Sequence, residues 1–340
     1  MDMSDFAVIG ENMHCTRIVK LGGKHTVELP GGGVGVAFEH AGAARVLPVP
    51  ADWGELSPAF GEGKVKHVAL AVHQATRGAG DDRQAGEDYL LYAARRQVDA
   101  GASFLDVNVD EYSNDPARRA EAMRYLAGFL AERIPVPLSI DSSSLETVIA
   151  GLEACREAPG RTMVNSVSLE RVEYVDAIAE FDAEAVVSAA GREDLPTDVD
   201  GRIANFEEII ARLDAAGIAR ERMHLDPLVF PVSTEPTHGR RFLDATAEAK
   251  KRFDGVRLSG GFSNVSFGMP QRKLLNRVFV WLCVEAGASS GIVDPVQIPP
   301  AEIEAMDTDC EPFAMARAFL TGEDSYGMAF LAAHREGKLA

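Results

Sequence analysis

Residues 256–268 read Val-Arg-Leu-Ser-Gly-Gly-Phe-Ser-Asn-Val-Ser-Phe-Gly, a short apolar run followed by glycines and small residues around one amide side chain, Asn264. We expect Asn264 to lie at a strand end and to face a ligand. Four further β-type runs also end in Asp or Asn, namely Leu105-Asp106-Val107-Asn108, Leu138-Ser139-Ile140-Asp141, Met163-Val164-Asn165-Ser166 and His224-Leu225-Asp226-Pro227-Leu228. Because a helix-like segment follows each run, the chain predicts repeated strand, polar end and helix. This succession is typical of a barrel with its active site at the C-terminal strand ends.

The repeat predicts an α/β fold, a (β/α)8 TIM barrel, in a single domain spanning residues 1–340. Its first strand is predicted at Phe6–Ile9 and leads into Gly10-Glu11-Asn12, which we interpret as another polar strand end. Further strands are predicted at 103–107, 137–140, 162–166, 184–188, 222–225, 255–258 and 289–293. Helices are predicted at 84–100, 116–133, 144–156, 171–181, 202–216, 237–252 and 270–285. The tail, about 299–340, is predicted to form C-terminal helices at Pro299–Leu320 and Asp324–Arg335, which cover a barrel end or form a subunit contact.

An insertion of about residues 15–75 interrupts the regular pattern after the first strand. A triple glycine at Gly31–Gly33 and prolines at 30, 48, 50 and 58 indicate a hairpin-rich loop region. Within it, Val68–Val72 is consistent either with the end of the insertion or with a rival first barrel strand. The sequence leaves both interpretations open.

Composition excludes several classes of function. The 340 residues carry 34 Lys and Arg against 52 Asp and Glu, a net charge of −18, which argues against nucleic acid or an anionic membrane as the main partner. The four cysteines are scattered without metal-ligand spacing, which suits a reducing compartment and predicts no bound metal. No apolar stretch has the length of a membrane span. We therefore expect a cytoplasmic protein.

The polar strand ends are the candidate site. Each has a simpler explanation when taken alone, since Asp141 with the serines after it can cap a helix and Asn108 or Asn165 can hold a turn. Together they offer Asp and Asn groups without a Lys, His or Cys nucleophile among them. Such donors and acceptors suit a neutral, nitrogen-rich heterocycle that presents adjacent amide and amino edges.

In their order along the chain, these motifs resemble the pterin-binding family of methyltetrahydrofolate–corrinoid methyltransferases. The stretches Asp106-Val107-Asn108-Val109-Asp110-Glu111 and Val164-Asn165-Ser166-Val167-Ser168-Leu169 are also similar to the folate domain of cobalamin-dependent methionine synthase. The resemblance covers roughly residues 84–295 and the first strand. The insertion is longer than the family pattern, and the tail after Pro299 has no counterpart in it.

The resemblance implies a tetrahydrofolate site and a role for each matching residue. Asp141, Asn165 and Asp226 are implied to bind the pterin's amino and ring-nitrogen edge. Asn264, with Asp226, is implied to take part in catalysis beside the nitrogen that carries the methyl group. The further residues implied in substrate binding are Glu11, Asn12, Asp106, Asn108, Ser263, Arg272 and Arg277, of which Ser263 is expected to position Asn264.

The resemblance also implies partners. The family's corrinoid modules carry an Asp-x-His-x-x-Gly loop, and His238-Gly239 lacks its spacing, so a separate corrinoid protein is expected to supply the cobalamin. A homodimer is expected as well. Two alternatives stay open, a dihydropteroate synthase-like pterin enzyme and a folate-binding or corrinoid-docking subunit without turnover. Dihydropteroate synthase is similar in its pterin-binding positions but has Ser-Arg-Lys in place of Ser263-Asn264-Val265.

Overall fold

The structure is a computed structural model that describes residues 3–339. Its core follows the predicted alternation of strands and helices. The N-terminal part contains β1 (Ala7–His14), β2 (Ile18–Lys20), β3 (Thr26–Glu28), β4 (Val34–His40), β5 (Ala43–Pro48), α1 (Trp53–Leu56), β6 (Lys64–Lys66) and α2 (His67–Arg77). The repeat continues with α3 (Asp81–Asp99), β7 (Phe104–Asn108), α4 (Pro116–Ala131), β8 (Leu138–Asp141), α5 (Leu145–Ala154), β9 (Met163–Val167), α6 (Tyr174–Glu180), β10 (Glu184–Ser188), α7 (Val199–Ala215), β11 (Met223–Asp226), α8 (His238–Arg252), β12 (Arg257–Leu258), α9 (Arg272–Glu285) and β13 (Ser290–Val293). The last helices are α10 (Pro300–Glu304), α11 (Glu311–Leu320) and α12 (Met328–Arg335).

Eight strands form one parallel sheet in the order β12-β11-β10-β9-β8-β7-β1-β13. The two outer strands meet as well, because Gly261 and Ile292 form a parallel bridge and the Ile292 amide donates to the Gly260 carbonyl at 2.9 Å. The fold is therefore the predicted (β/α)8 barrel. From α3 to β13, the predicted helices and strands are confirmed to within three residues at each end.

The strands show why the polar groups emerge where they do. In β7, β8 and β11 every residue is buried except the last, which is Asn108, Asp141 or Asp226. The apolar residues before it are the near-continuous run expected of a parallel strand covered on both faces. The final polar side chain is thus placed at the C-terminal end of the strand, as predicted.

The insertion is hairpin-rich as predicted. β3, β4 and β5 form an antiparallel sheet, and β2 pairs with β6. Gly31, Gly32 and Gly33 link β3 to β4 with φ of 88°, 93° and 99°, a region that side-chain-bearing residues rarely adopt.

Val68–Val72, which the sequence left open as either the end of the insertion or a rival first strand, is part of α2 and is buried on every side. Two sequence-based predictions about element boundaries are wrong. β1 continues through Glu11 and Asn12 to His14, so these two residues lie within the strand. The predicted helix Pro299–Leu320 is split into α10 and α11, because Asp307 accepts the Asp309 amide in a turn and Pro312 starts a new helix.

By their internal contacts the residues group into two compact units, described separately below. Among the described residues, unit A comprises 11–99 and 104–162, and unit B comprises 3–10, 100–103 and 163–339. The interpretation of residues 1–340 as a single domain stays a prediction. No helix in the described part of the chain is both long and apolar enough to cross a membrane.

Candidate functional site

In unit A the strand-end groups form a hydrogen-bonded network around His14. The His14 Nε2 atom lies 2.7 Å from Asp106 Oδ2 and 3.8 Å from Asp141 Oδ2. Asn108 donates from Nδ2 to Asp141 Oδ2 at 3.0 Å, and Ser139 donates from Oγ to Asp106 Oδ1 at 2.6 Å. The structure thus brings together the predicted site residues Asp106, Asn108 and Asp141.

Burial and mutual charge alter the acidity of this network. Burial, followed by the charge of Asp106, raises the pKa of Asp141 to about 7, against the opposing effects of His14 and Asn108. Burial lowers the pKa of His14, but its hydrogen bond to Asp106 and the charges of Asp106 and Asp141 outweigh this and raise the pKa above 6.5. The pKa of Asp141 therefore lies near neutral pH, and that of His14 lies above its ordinary value.

The loop after β7 fixes the position of β8's C-terminal end. Asp110 accepts hydrogen bonds from Ser142 Oγ at 2.5 Å and from the Ser143 amide at 2.8 Å. Ser142 and Ser143 therefore bind Asp110, and the N-cap residue of α5, Ser144, forms no side-chain cap. Ser142 Oγ also accepts the Ser144 amide at 3.1 Å, so Ser142 supports the start of α5, whereas Asp141 contacts Asn108 and His14.

Glu11 and Asn12 are engaged along β1. Glu11 forms an ion pair with Arg17, with Oε1 2.7 Å from Nη2, while its carbonyl accepts from the same guanidinium. The Asn12 backbone amide donates to Gln97 Oε1 at 2.9 Å. Their roles in binding substrate stay predictions.

The ligand atoms of His14, Asp106 and Asp141 all lie within 4.8 Å of one another, a spacing that could accommodate a metal ion. Here the imidazole is instead hydrogen-bonded directly to Asp106. We interpret the three residues as a hydrogen-bonded network, and the absence of a metal cofactor stays a prediction.

In unit B, Asp226 ends β11 with its carboxylate held by backbone amides. The Leu228 amide donates to Oδ1 at 2.8 Å, and Gly261 donates a second hydrogen bond to the carboxylate. Burial raises the pKa of Asp226 to about 6, although these amides and the charge of Arg202 lower it. The residue is therefore mostly ionised at neutral pH.

Arg202, in α7, is the basic group that acts electrostatically on Asp226. Its side chain is fully buried, and its three guanidinium nitrogens have no hydrogen-bond partner among the described residues. The Phe230 ring lies 5.7 Å from Arg202 Cζ. Burial lowers the pKa of Arg202, opposed by Asp226. Burying a guanidinium without hydrogen-bond partners costs free energy. A functional role or bound water would account for the position of Arg202.

Asn264 lies in a single 3₁₀ turn, Phe262–Ser266, beyond the end of β12. The sequence pattern predicts that Asn264 lies at a strand end. The structure differs, because β12 ends at Leu258, Gly260 and Gly261 follow it, and Asn264 lies in the 3₁₀ turn after them. Asn264 is exposed, and its Nδ2 lies 3.0 Å from where a side chain on Gly261 would begin. A glycine at 261 thus leaves room for the amide.

Arg272 holds this turn from α9. Its Nε donates to Ser266 Oγ and its Nη2 donates to the Ser263 carbonyl, both at 3.0 Å, while Cζ lies 4.7 Å from the Phe267 ring centre. Ser263 Oγ is buried without a hydrogen-bond partner among the described residues, so Ser263 supports the turn through its carbonyl.

The remaining predicted site residues are Asn165 and Arg277. Asn165 is half-buried within β9, one residue after Val164. Arg277 points to the C-terminal segment, where it pairs with Glu302 and donates to the Gln297 carbonyl at 3.3 Å. The structure gives Arg277 different partners from Arg272, and its role in substrate binding stays a prediction.

Sequence reasoning missed His14 and Arg202. His14 lies between Met13 and Cys15, which are both buried. This alternation of apolar and polar residues is a strand signal, and it could have extended the predicted first strand to His14. Arg202 carries no sequence signal, since an arginine in the first turn of an amphipathic helix is ordinarily exposed.

A family model described as pterin binding enzyme matches residues 82–294. The chain belongs to the pterin binding enzyme family. Among curated proteins it is similar to the methylcorrinoid:tetrahydrofolate methyltransferase of Eubacterium limosum, with 27% identity over 261 residues that cover 74% of this chain and 89% of that protein. It is also similar to the methionine synthase of Mycobacterium leprae (strain TN), with 31% identity over 256 residues that cover 69% of this chain but 21% of that protein. Like the first relative, the chain is an enzyme of the methyltransferase class.

Solved structures with the same fold include dihydropteroate synthases. The enzyme of Xanthomonas albilineans in complex with 7,8-dihydropteroate has a TM-score of 0.53 and 19% identity, covering 74% of this chain and 88% of that one. The Yersinia pestis enzyme with a pterine-sulfa conjugate has a TM-score of 0.50 and 22% identity, covering 74% and 90%. At this identity the likeness supports the barrel fold alone.

Proposed function

We propose that this enzyme moves a methyl group between a corrinoid protein and the pterin nitrogen of tetrahydrofolate. The observation that carries the proposal is the similarity to a methylcorrinoid:tetrahydrofolate methyltransferase over 89% of that protein's length, within a family of pterin binding enzymes. A separate corrinoid protein would supply the cobalamin.

The carboxylates would bind the pterin. In unit A, Asp141 is ionisable near neutral pH and retains acceptor capacity beside Asn108. In unit B, Asp226 presents a carboxylate already oriented by two backbone amides, and Asn165 adds an amide. Ionised carboxylates that accept hydrogen bonds from amino and ring N–H groups form the stronger, charge-assisted kind.

Asn264 would act on the nitrogen that carries the methyl group. A tertiary amine is a poor leaving group, so the nitrogen must be hydrogen-bonded or protonated as its bond to the methyl carbon breaks. The exposed amide on the turn held by Arg272 can make such a contact, and only stabilisation that grows toward the transition state raises the rate. The corrinoid supplies the methyl-transferring chemistry. The protein therefore needs no nucleophile of its own.

A binding experiment tests the pterin assignment. Tetrahydrofolate and 5-methyltetrahydrofolate should each raise the melting temperature, because a ligand that binds only the native state stabilises it. Asp141→Ala and Asp226→Ala should abolish this shift, whereas Asp244→Ala, at an exposed position on α8, should retain it. Folate binding as tight as wild type in both site variants would contradict the assignment.

A product assay distinguishes the alternatives. We expect no dihydropteroate from the pterin pyrophosphate and p-aminobenzoate, and methylated folate from methylcobalamin and tetrahydrofolate. Dihydropteroate formation would favour the synthase, and folate binding without any methyl transfer would indicate a non-catalytic subunit.

A further inference from the structure

His14 is the basic group of the unit A network. It is the last residue of β1, its side chain is 18% exposed, and its Nε2 lies between two carboxylates, 2.7 Å from Asp106 and 3.8 Å from Asp141. These contacts indicate what the imidazole does.

The contacts fix the imidazole on Asp106. Asp106 is completely buried, and its other oxygen accepts from Ser139 Oγ at 2.6 Å, so both of its carboxylate oxygens are engaged. Of the two carboxylates, Asp141 is the one that solvent or a ligand can reach, with a quarter of its side chain exposed. Two adjacent carboxylates repel each other unless a positive charge lies between them, and a protonated His14 supplies that charge.

No other charged group described near Asp106 and Asp141 supplies the positive charge in place of His14. Arg17 lies close enough to oppose protonation of His14, and its guanidinium is paired with Glu11. Asp110 adds negative charge near Asp141 while it accepts from Ser142 and Ser143. Asn108 hydrogen-bonds Asp141 but carries no charge. Among the groups that act on Asp141, His14 is therefore the cationic one.

We propose that His14 is a positioning residue whose charge, held between Asp106 and Asp141, favours the ionised form of Asp141, so that a larger share of the protein offers the pterin edge a carboxylate. The charge coupling stands on the contacts within unit A. Its consequence for the ligand rests on the proposed function. The network makes folate affinity sensitive to pH around neutrality.

The direction of the effect follows from the charges. Burial and Asp106 raise the pKa of Asp141 to about 7, and His14 lowers it. Removing the imidazolium therefore raises the pKa further and protonates Asp141 at neutral pH. If binding requires the carboxylate, affinity falls about tenfold for each pH unit below that pKa, and the fall begins at higher pH in the variant.

The first measurement needs no folate. Carbon-13 labelling of aspartate carboxyl groups in the whole protein, with Asp141→Asn to identify the signal, gives the Asp141 titration midpoint by NMR. His14→Asn can still donate to Asp106 but has no charge, and His14→Ala is the second variant. We expect the midpoint to rise by about one pH unit or more in both. An unchanged midpoint overturns the proposal.

The control is His67→Asn. His67 is another half-buried imidazole of unit A, hydrogen-bonded to Tyr89, and desolvation lowers its pKa to about 4, so it is neutral at pH 7. Its replacement removes an imidazole without removing a charge. The Asp141 midpoint should stay at the wild-type value, and a shift as large as that of His14→Asn would contradict a charge effect.

Calorimetric titration with tetrahydrofolate from pH 5.5 to 8.5 is the second measurement. The pH at which affinity falls should move upward in His14→Asn by the same amount as the NMR midpoint. A midpoint that moves while the affinity profile does not would overturn the role of His14 in ligand binding. Absence of folate binding to the wild type would instead refute the proposed function, and the NMR titration would still decide the charge coupling.

Discussion

Replacing Gly261 by alanine should slow methyl transfer without unfolding the protein. An added Cβ would lie 3.0 Å from Asn264 Nδ2, whereas ordinary contacts begin at 3.4 Å, so the amide must move by a few tenths of an ångström. The backbone at Gly261 has φ −78° and ψ 74°, which alanine adopts without strain, and its amide can still donate to Asp226. The substitution therefore acts on the position of the Asn264 side chain.

The size of the expected decrease in transfer rate follows from the displacement of the Asn264 amide. A misplacement of about 1 Å in a reacting group can cost about 100-fold in rate, so for a shift of a few tenths of that distance we expect methyl transfer from methylcobalamin to tetrahydrofolate to slow by roughly 3- to 10-fold. Folate affinity should stay within about threefold, because Asp141 and Asp226 are unchanged and the lost contact belongs to the transition state. The melting temperature should stay the same or rise slightly, since alanine restricts the unfolded chain.

Gly128→Ala is the matched control. Gly128 lies in α4, where an added Cβ would come no closer than 3.7 Å to Ala154, and alanine favours a helix by about 1 kcal/mol. Its transfer rate should equal that of the wild type. If Gly261→Ala also transfers methyl groups at the wild-type rate while it remains folded, the position of the Asn264 amide does not govern catalysis.

Three further predictions concern individual groups and assembly. Asn264→Ala should bind tetrahydrofolate within a few fold of wild type but transfer the methyl group roughly 10- to 1,000-fold more slowly in stopped-flow spectra, and equal losses of affinity and rate would show an anchoring role only. Arg202→Met should raise the pKa of Asp226 above about 6 and move the acid-side loss of folate affinity upward, whereas Arg202→Lys should restore the wild-type profile in calorimetric titrations. Light scattering at low micromolar concentration should give the mass of a dimer, because Tyr326 and Met328 in the C-terminal segment are each 72% exposed, and a monomer mass would contradict this.

The sequence was sufficient to predict the barrel because its strands are covered on both faces. Such strands are short apolar runs, and the polar residue that ends each run, such as Asp141 or Asp226, marks the C-terminal end. The same logic fails where an apolar run is a buried helix. Val68–Val72 has no polar face that would reveal the helical period, so length and periodicity could not separate helix from strand.

The candidate site was predictable only in part. Asp106, Asn108 and Asp141 were predicted, and the structure joins them, but the imidazole that links the two carboxylates comes from a strand that was predicted to end too early. Arg202 acts on Asp226 from a helix, a relation that depends on tertiary packing. Contacts between distant residues carry no local periodicity, so sequence patterns identify strand ends better than the groups that tune them.

The most direct test of the central claim is a single-turnover experiment in a stopped-flow spectrometer with wild-type protein, methylcobalamin and tetrahydrofolate. We expect the absorbance of methylcobalamin to fall as 5-methyltetrahydrofolate forms, one mole for each mole of methyl group lost, at a rate that depends on the enzyme concentration. The protein without folate should leave the spectrum unchanged. Demethylation without formation of 5-methyltetrahydrofolate, or no spectral change under conditions in which folate binds, would contradict the assignment of this enzyme as a corrinoid–folate methyltransferase.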